Sequence, residues 1–109
     1  MSKIYDYIKG RYGMETYLRV NKLADKVDGL TRVLEANGDR MAFLIVNLGA
    51  VPIYLSMDTK ASTTHGIYLS SNGGVMSASI DTDFSLVGEE WYAWSESETD
   101  VYIIEVIGK

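Results

Sequence analysis

The feature that most constrains this chain is the rhythm of its last two-thirds. From residue 31 onward, short apolar runs are punctuated by glycine, asparagine and aspartate at intervals of 8–12 residues. Runs that short are strand-sized, and such spacing points to an antiparallel sandwich or small barrel. Thr31 to Ala36 reads as a strand. Asn37-Gly38-Asp39 is a turn signal between two apolar runs. Met41 to Asn47 follows as a continuous apolar strand with burial expected on both faces. Leu48-Gly49-Ala50 makes a tight connection to Val51–Met57, where Pro52 points to a sheet edge because it cannot donate to a ladder. Residues 58–66 form a polar loop. Further short strands are expected at Ile67–Leu69, Val75–Ile80 and Trp91–Trp94. The last, Asp100–Ile107, alternates Tyr102, Ile104 and Val106 with Val101, Ile103 and Glu105. About seven strands result, and none alternates with a helical segment, so a parallel α/β sheet is not expected.

Residues 1–30 carry a different pattern. Ser2 is placed to cap a short helix over residues 3–9, and Gly10 and Gly13 interrupt the chain after it. A second helix is expected from Met14 to Asp28. Its apolar positions Val20, Leu23, Val27 and Leu30 follow the 3-4 spacing of a narrow stripe. Gly29 is then a helix stop. In a heptad frame the stripe places valine at a and leucine at d, which favours association of parallel helices. The alternative is a helix lying across the β-domain or a neighbouring subunit. The expected fold is therefore mainly β: an antiparallel sandwich or small barrel over 31–109, preceded by an N-terminal helical anchor or association segment over 1–30.

Charge divides at nearly the same place. Residues 1–40 hold eight basic and six acidic side chains, whereas residues 41–109 hold two basic and nine acidic ones. The acidic β-half disfavours nucleic acid and anionic membranes as partners. No apolar run approaches the ~18 residues of a membrane span. The N-terminus lacks the order of a signal peptide, since Asp6, Lys9 and Arg11 interrupt its apolar positions. The 109 residues suffice for one core, and the absence of cysteine excludes disulfides and thiolate zinc sites.

Little in the chain is arranged for catalysis. His65 is the lone histidine, in a Thr-Thr-His-Gly loop, with no second imidazole to share a metal and no serine in a nucleophile elbow. Asp81 and Asp83, and Glu96, Glu98 and Asp100, are spaced to share a face. They lack the glycine-punctuated spacing of a calcium loop and read as solvated acidic turns. No catalytic, cofactor-binding or metal-binding residue is expected, and the chain is read as a non-enzyme. The candidate surface residues are of another kind. Trp91, Tyr92 and Trp94 form the densest aromatic cluster, with Trp91 pointing opposite to the other two. Its outward side would meet a protein neighbour or a sugar. Tyrosines are frequent near the N-terminus, and tyrosine suits interfaces. The candidate interface is thus Tyr5, Tyr12, Tyr17, Val20, Leu23, Val27, Leu30, Trp91 and Trp94.

The order of elements after residue 31 resembles small β-sandwich structural proteins of tailed-bacteriophage virions. The resemblance rests on Leu34–Asp58 (LEANGDRMAFLIVNLGAVPIYLSMD), Gly66-Ile67-Tyr68-Leu69, Gly73-Gly74, Tyr92-Ala93 and Val101–Ile107, and covers residues 31–107. In sequence it comprises a turn-led basic residue, an apolar strand ending in asparagine, a tyrosine-bearing strand, a double-glycine turn and a closing Val/Ile-rich strand. It implies a virion structural role, capsid decoration or fibre attachment. The partners would be other virion proteins, capsid or tail subunits, and copies of the chain itself in a homo-oligomer. A carbohydrate- or protein-binding module using Trp91, Tyr92 and Trp94 is the alternative.

Overall fold

The computed structural model describes residues 16–21, 23–79 and 83–108. Among the described residues seven strands run β1 (Thr16–Val20), β2 (Lys26–Leu34), β3 (Arg40–Asn47), β4 (Ile53–Ser56), β5 (Ile67–Leu69), β6 (Gly74–Ser79) and β7 (Trp91–Gly108), with a 3-10 turn at Phe84–Gly88 before the last. All pairings are antiparallel. The result is a mainly β, barrel-like, nearly closed sheet.

β7 organises the whole. Along one side it pairs β2 through residues 91–100 and β1 through 104–108. Along the other it pairs β4 through 92–95 and β3 through 101–107. β5 and β6 extend β4 and β3 outward. The sheet is therefore four columns wide, β1/β2, β7, β3/β4 and β6/β5, and every column except β7 breaks at mid-height. Eighteen straight residues would span about 60 Å, yet the molecule's longest dimension is 43 Å, so β7 bends. The bend divides the sheet into layer I (β2, β4, β5 and the first half of β7) and layer II (β1, β3, β6 and the second half). Phe43 of layer II meets Trp91 of layer I with ring centroids 5.7 Å apart, so the inner sides of the two layers share one core. Val27, Val33, Ile45, Ile53, Leu55, Ala93 and Ile103 fill it.

The waist is stitched by hydrogen bonds. Asn47, fully buried, donates from Nδ2 to the Val51 carbonyl, and its Oδ1 accepts from Gly49 N–H and the Thr99 hydroxyl. Backbone bonds Asn21 N–H to Ile103 O, Val101 N–H to Asp25 O and Leu48 N–H to Asp100 O carry the ladder across the breaks. A Cβ on Gly49 would stand 1.9 Å from Thr99 Oγ1, so this close approach requires glycine.

The helix expected from Met14 to Asp28 is not formed over its described part. Residues 16–20 are β1 and residues 26–28 begin β2. The 3-4 stripe mixes two period-2 patterns: Leu18 and Val20 alternate in one strand, Val27 belongs to another, and a break lies between. β-branched and aromatic residues favour strands where a partner exists, and β7 offers its full edge to both. The expected boundary at residue 30 falls inside β2. Gly29 is not a helix stop: its φ of +65° sits where the register shifts between Val27 and Gly29, opposite two extra residues of β7 between Ser95 and Thr99. The helix expected over residues 3–9 lies outside the described residues.

Two further expectations change. Trp91–Trp94 and Asp100–Ile107 are one strand: Ser95, Thr99 and Val101 are buried like Trp91 and Ala93, with an exposed stretch at 96–98 between them. Pro52 precedes β4 rather than lying in it, and β4 is an interior strand between β5 and β7. The strands at 40–47, 67–69 and 74–79 occur within a residue or two of their expected positions.

Candidate interaction surfaces

Side chains alternate across a strand, so each bent layer has an outer side as well as an inner one. On the outer side of layer II the register produces three rows. Val20, Ile104, Leu44 and Ser77 form one; Leu18, Val106, Ala42 and Ser79 form the next; Tyr102, Val46 and Val75 form the third. None of these side chains is charged. Leu18, Val20, Val75 and Tyr102 are 42–54% exposed, and Ala42, Leu44, Val46, Ile104 and Val106 are half-buried between strand neighbours. Strands are 4.8 Å apart and alternate residues about 6.8 Å, so the rows cover a footprint of about 350 Å². The largest apolar patch on a typical monomer is about 300–600 Å² and is often functional.

The outer side of layer I is built differently. One row, Leu30–Trp94–Tyr54–Tyr68, crosses all four strands in register. Tyr54 lies 5.5 Å from Tyr68 and 6.2 Å from Trp94 between ring centroids, tilted at 60° and 46°. The next row is polar: Arg32, Tyr92 and Ser56. Glu90 accepts a short hydrogen bond from the Tyr92 hydroxyl and pairs with Arg32 at 3.5 Å. The bond to the Glu90 carboxylate, then burial, raises the Tyr92 phenol above its usual pKa. Ser56 donates to Asp58, whose carboxylate faces His65 Nε2 at 3.0 Å. The Lys60 backbone N–H, then the Ser56 hydroxyl, hold Asp58 below the usual carboxylate range, with a smaller contribution from His65.

The candidate residues fall into four groups. Leu30 and Trp94 are cross-strand partners in the aromatic row. Val20 lies in the uncharged face of layer II, Leu23 is 43% exposed in the link between β1 and β2, and Tyr17 is 37% exposed opposite Ile107. Val27 and Trp91 are core residues, 0% and 3% exposed, and are no part of a surface. Both alternate inward, and Trp91 donates its indole N–H to the Leu86 carbonyl. Tyr5 and Tyr12 lie outside the described residues. Tyr54 and Tyr68 were not among the candidates, because their place in the row depends on pairings with β7 and β5 that are distant in sequence.

The sequence pattern held one more signal. Glu105 occupies an inward position among Val101, Ile103 and Ile107, and a charge there requires a partner. The partner is Arg40, whose Nε donates to Glu105 Oε1 at 2.7 Å with both side chains fully buried. Oε2 accepts from Arg19 Nε and Nη2 and from Asn21 Nδ2. Arg40 also donates to the carbonyls of Glu35, Val87 and Glu89. One carboxylate thus ties β1, β3, β7 and the 3-10 turn. Arg19, Asn21, Val20, Leu23 and Glu35 line an open depression of about 350 Å³ beside it.

Among the described residues no group of three or more histidine and carboxylate side chains is placed to hold a metal ion. The Ser56 hydroxyl donates to Asp58 rather than to His65, so these three groups do not form a nucleophile–base–acid relay. Asp83 accepts from the Ser79 backbone N–H, while Asp81 lies outside the described residues. Glu98 and Asp100 both pair with Lys26 at 3.3 Å.

No family model and no curated protein matches the chain. Among solved structures, the crystal structure of Drosophila melanogaster CENP-C bound to CAL1 aligns over 99% of this chain and 94% of its own at 8% identity, with a TM-score of 0.32. A likeness at that level carries no argument about this chain.

Proposed function

We propose that the chain is a non-enzymatic structural protein that assembles with copies of itself through the outer face of layer II. The observation that carries this reading is the uncharged face made by Leu18, Val20, Ala42, Leu44, Val46, Val75, Tyr102, Ile104 and Val106. Two features favour a second copy as its occupant. The chain carries a net charge of −5, yet this face brings no charge of either copy opposite another. An isologous contact needs only such a self-complementary patch. The footprint is less than half of the ~800 Å² per partner of a standard interface. It suits contacts that gain strength by repetition in a larger particle. The resemblance of residues 31–107 to virion β-sandwich proteins names that particle: a tailed-phage virion, with capsid or tail subunits as further neighbours and capsid decoration or fibre attachment as the role.

Analytical ultracentrifugation of the chain and of Ile104→Lys tests the self-association. Wild type is expected to show a molar mass that rises with concentration, and the lysine variant a folded monomer. A wild-type monomer at every concentration refutes the reading. Co-sedimentation with virions of the source tests the setting, and its failure removes the virion role.

A further inference from the structure

We propose that the row Leu30–Trp94–Tyr54–Tyr68 binds a neutral oligosaccharide lying across the strands of layer I. This goes beyond assembly and uses the opposite side of the molecule. The row is long and narrow. It crosses three strand intervals, about 14 Å between the outermost backbones, but is one residue deep. On one side stands the polar row Arg32, Tyr92 and Ser56, and on the other Asp28 and Glu96 occupy the next outward positions. A strip of that width offers a small fraction of the ~800 Å² that each globular partner contributes to a stable interface. It matches a linear ligand.

Three properties select sugar among linear ligands. Tyrosine and tryptophan faces present the electron-rich surface that sugar C–H groups stack on. The ring spacings of 5.5 and 6.2 Å are of the order of one hexose repeat. Along one side the row is bordered by the guanidinium of Arg32, the carboxylate of Glu90 and the hydroxyl of Tyr92, donors and acceptors for sugar hydroxyls. Charge decides between neutral and acidic sugars. Arg32 is already paired with Glu90, and Asp28 and Glu96 leave the surroundings of the row acidic, which repels uronate or sulfated chains.

Affinity electrophoresis through gels containing neutral soluble polysaccharides (a β-glucan, an α-glucan, a mannan and a galactan), with heparin as the acidic control, tests the proposal. At least one neutral polysaccharide is expected to retard the chain and to change its tryptophan emission. Tyr54→Ala and Trp94→Ala are each expected to weaken binding by about tenfold. Tyr68→Ala, at a 58% exposed edge position, weakens it with the fold intact, and melting curves confirm folding of all three. Ile104→Lys, on the other layer, is expected to bind sugar normally, which separates this test from the assembly reading. Retardation by no neutral polysaccharide, retardation unchanged in folded Tyr54→Ala and Tyr68→Ala, or preference for heparin overturns the proposal. So does a loss of self-association in the row variants, which would make the row a protein contact.

Discussion

Replacing Glu105 by alanine removes the acceptor of four side-chain hydrogen bonds: two from Arg19, one from Asn21 and one from Arg40. The partners do not suffer equally. Arg19 is 38% exposed and turns to water, so its loss costs little. Arg40 is fully buried and, among the described residues, is left with the carbonyls of Glu35, Val87 and Glu89. Its charge is then uncompensated in the interior, and breaking a buried pair in this way costs about 3–5 kcal/mol. A domain of this size has about 5–15 kcal/mol in total. At about 4–5 °C per kcal/mol the melting temperature falls by about 12–25 °C. The double variant Arg40→Met/Glu105→Leu removes both charges. It orphans the Val87 carbonyl, at about 1–3 kcal/mol for an unmade buried bond, while the Glu35 and Glu89 carbonyls, at part-buried bonds, turn to water. It is expected to lie between wild type and Glu105→Ala. Urea unfolding followed by the emission of Trp91, which packs on Phe43 in the core, measures all three. A loss below about 1 kcal/mol for Glu105→Ala, or a double variant no more stable than the single one, refutes the view that this pair is the structural hub.

Further outcomes are expected elsewhere. Gly49→Ala drives a methyl into Thr99 at the waist and costs about 1–3 kcal/mol by overpacking; urea unfolding no different from wild type contradicts the tight waist. Asp58 has a folded pKa below its unfolded value of about 3.9, so its contribution is present above that value and lost as pH falls through the folded pKa. Protection of the Lys60 amide against hydrogen exchange, taken relative to the intrinsic rate at each pH, should therefore fall below about pH 4 in wild type and show no such step in Asp58→Asn; the same step in both variants rules out Asp58 as its source. Phe43→Ala is expected to cost about 3–5 kcal/mol and to shift the emission of Trp91; unchanged emission would mean that the layers do not meet there.

Much of the β-fold was legible because its signals are local. Asn37-Gly38-Asp39, Leu48-Gly49-Ala50 and Asn72-Gly73-Gly74 mark turns whatever lies beyond them, and alternation in Val101–Ile107 separates inner from outer positions. The failures share one cause. Val20, Leu23, Val27 and Leu30 satisfy a helical spacing, and what places Val20, Val27 and Leu30 in strands is the edge of β7, some seventy residues away. The same distance hid the aromatic row: Leu30, Tyr54, Tyr68 and Trp94 have no sequence relation until four strands align. The acidic run Glu96–Asp100 reads as a solvated turn from its carboxylates alone, whereas β7 continues through it with exposure at 96–98. Glu105 was correctly assigned to the face of Val101 and Ile103, which is the core face. Its burial was the available clue to Arg40.

The central claim is that the uncharged outer face of layer II is covered by another copy. Paramagnetic attenuation of methyl resonances by a soluble nitroxide, measured at two protein concentrations, tests it most directly. The methyls of Leu44, Val46 and Ile104 are expected to be attenuated in dilute protein and protected in concentrated protein, while Leu30 on the opposite layer stays attenuated in both. Equal attenuation of Leu44, Val46 and Ile104 at both concentrations would contradict the claim.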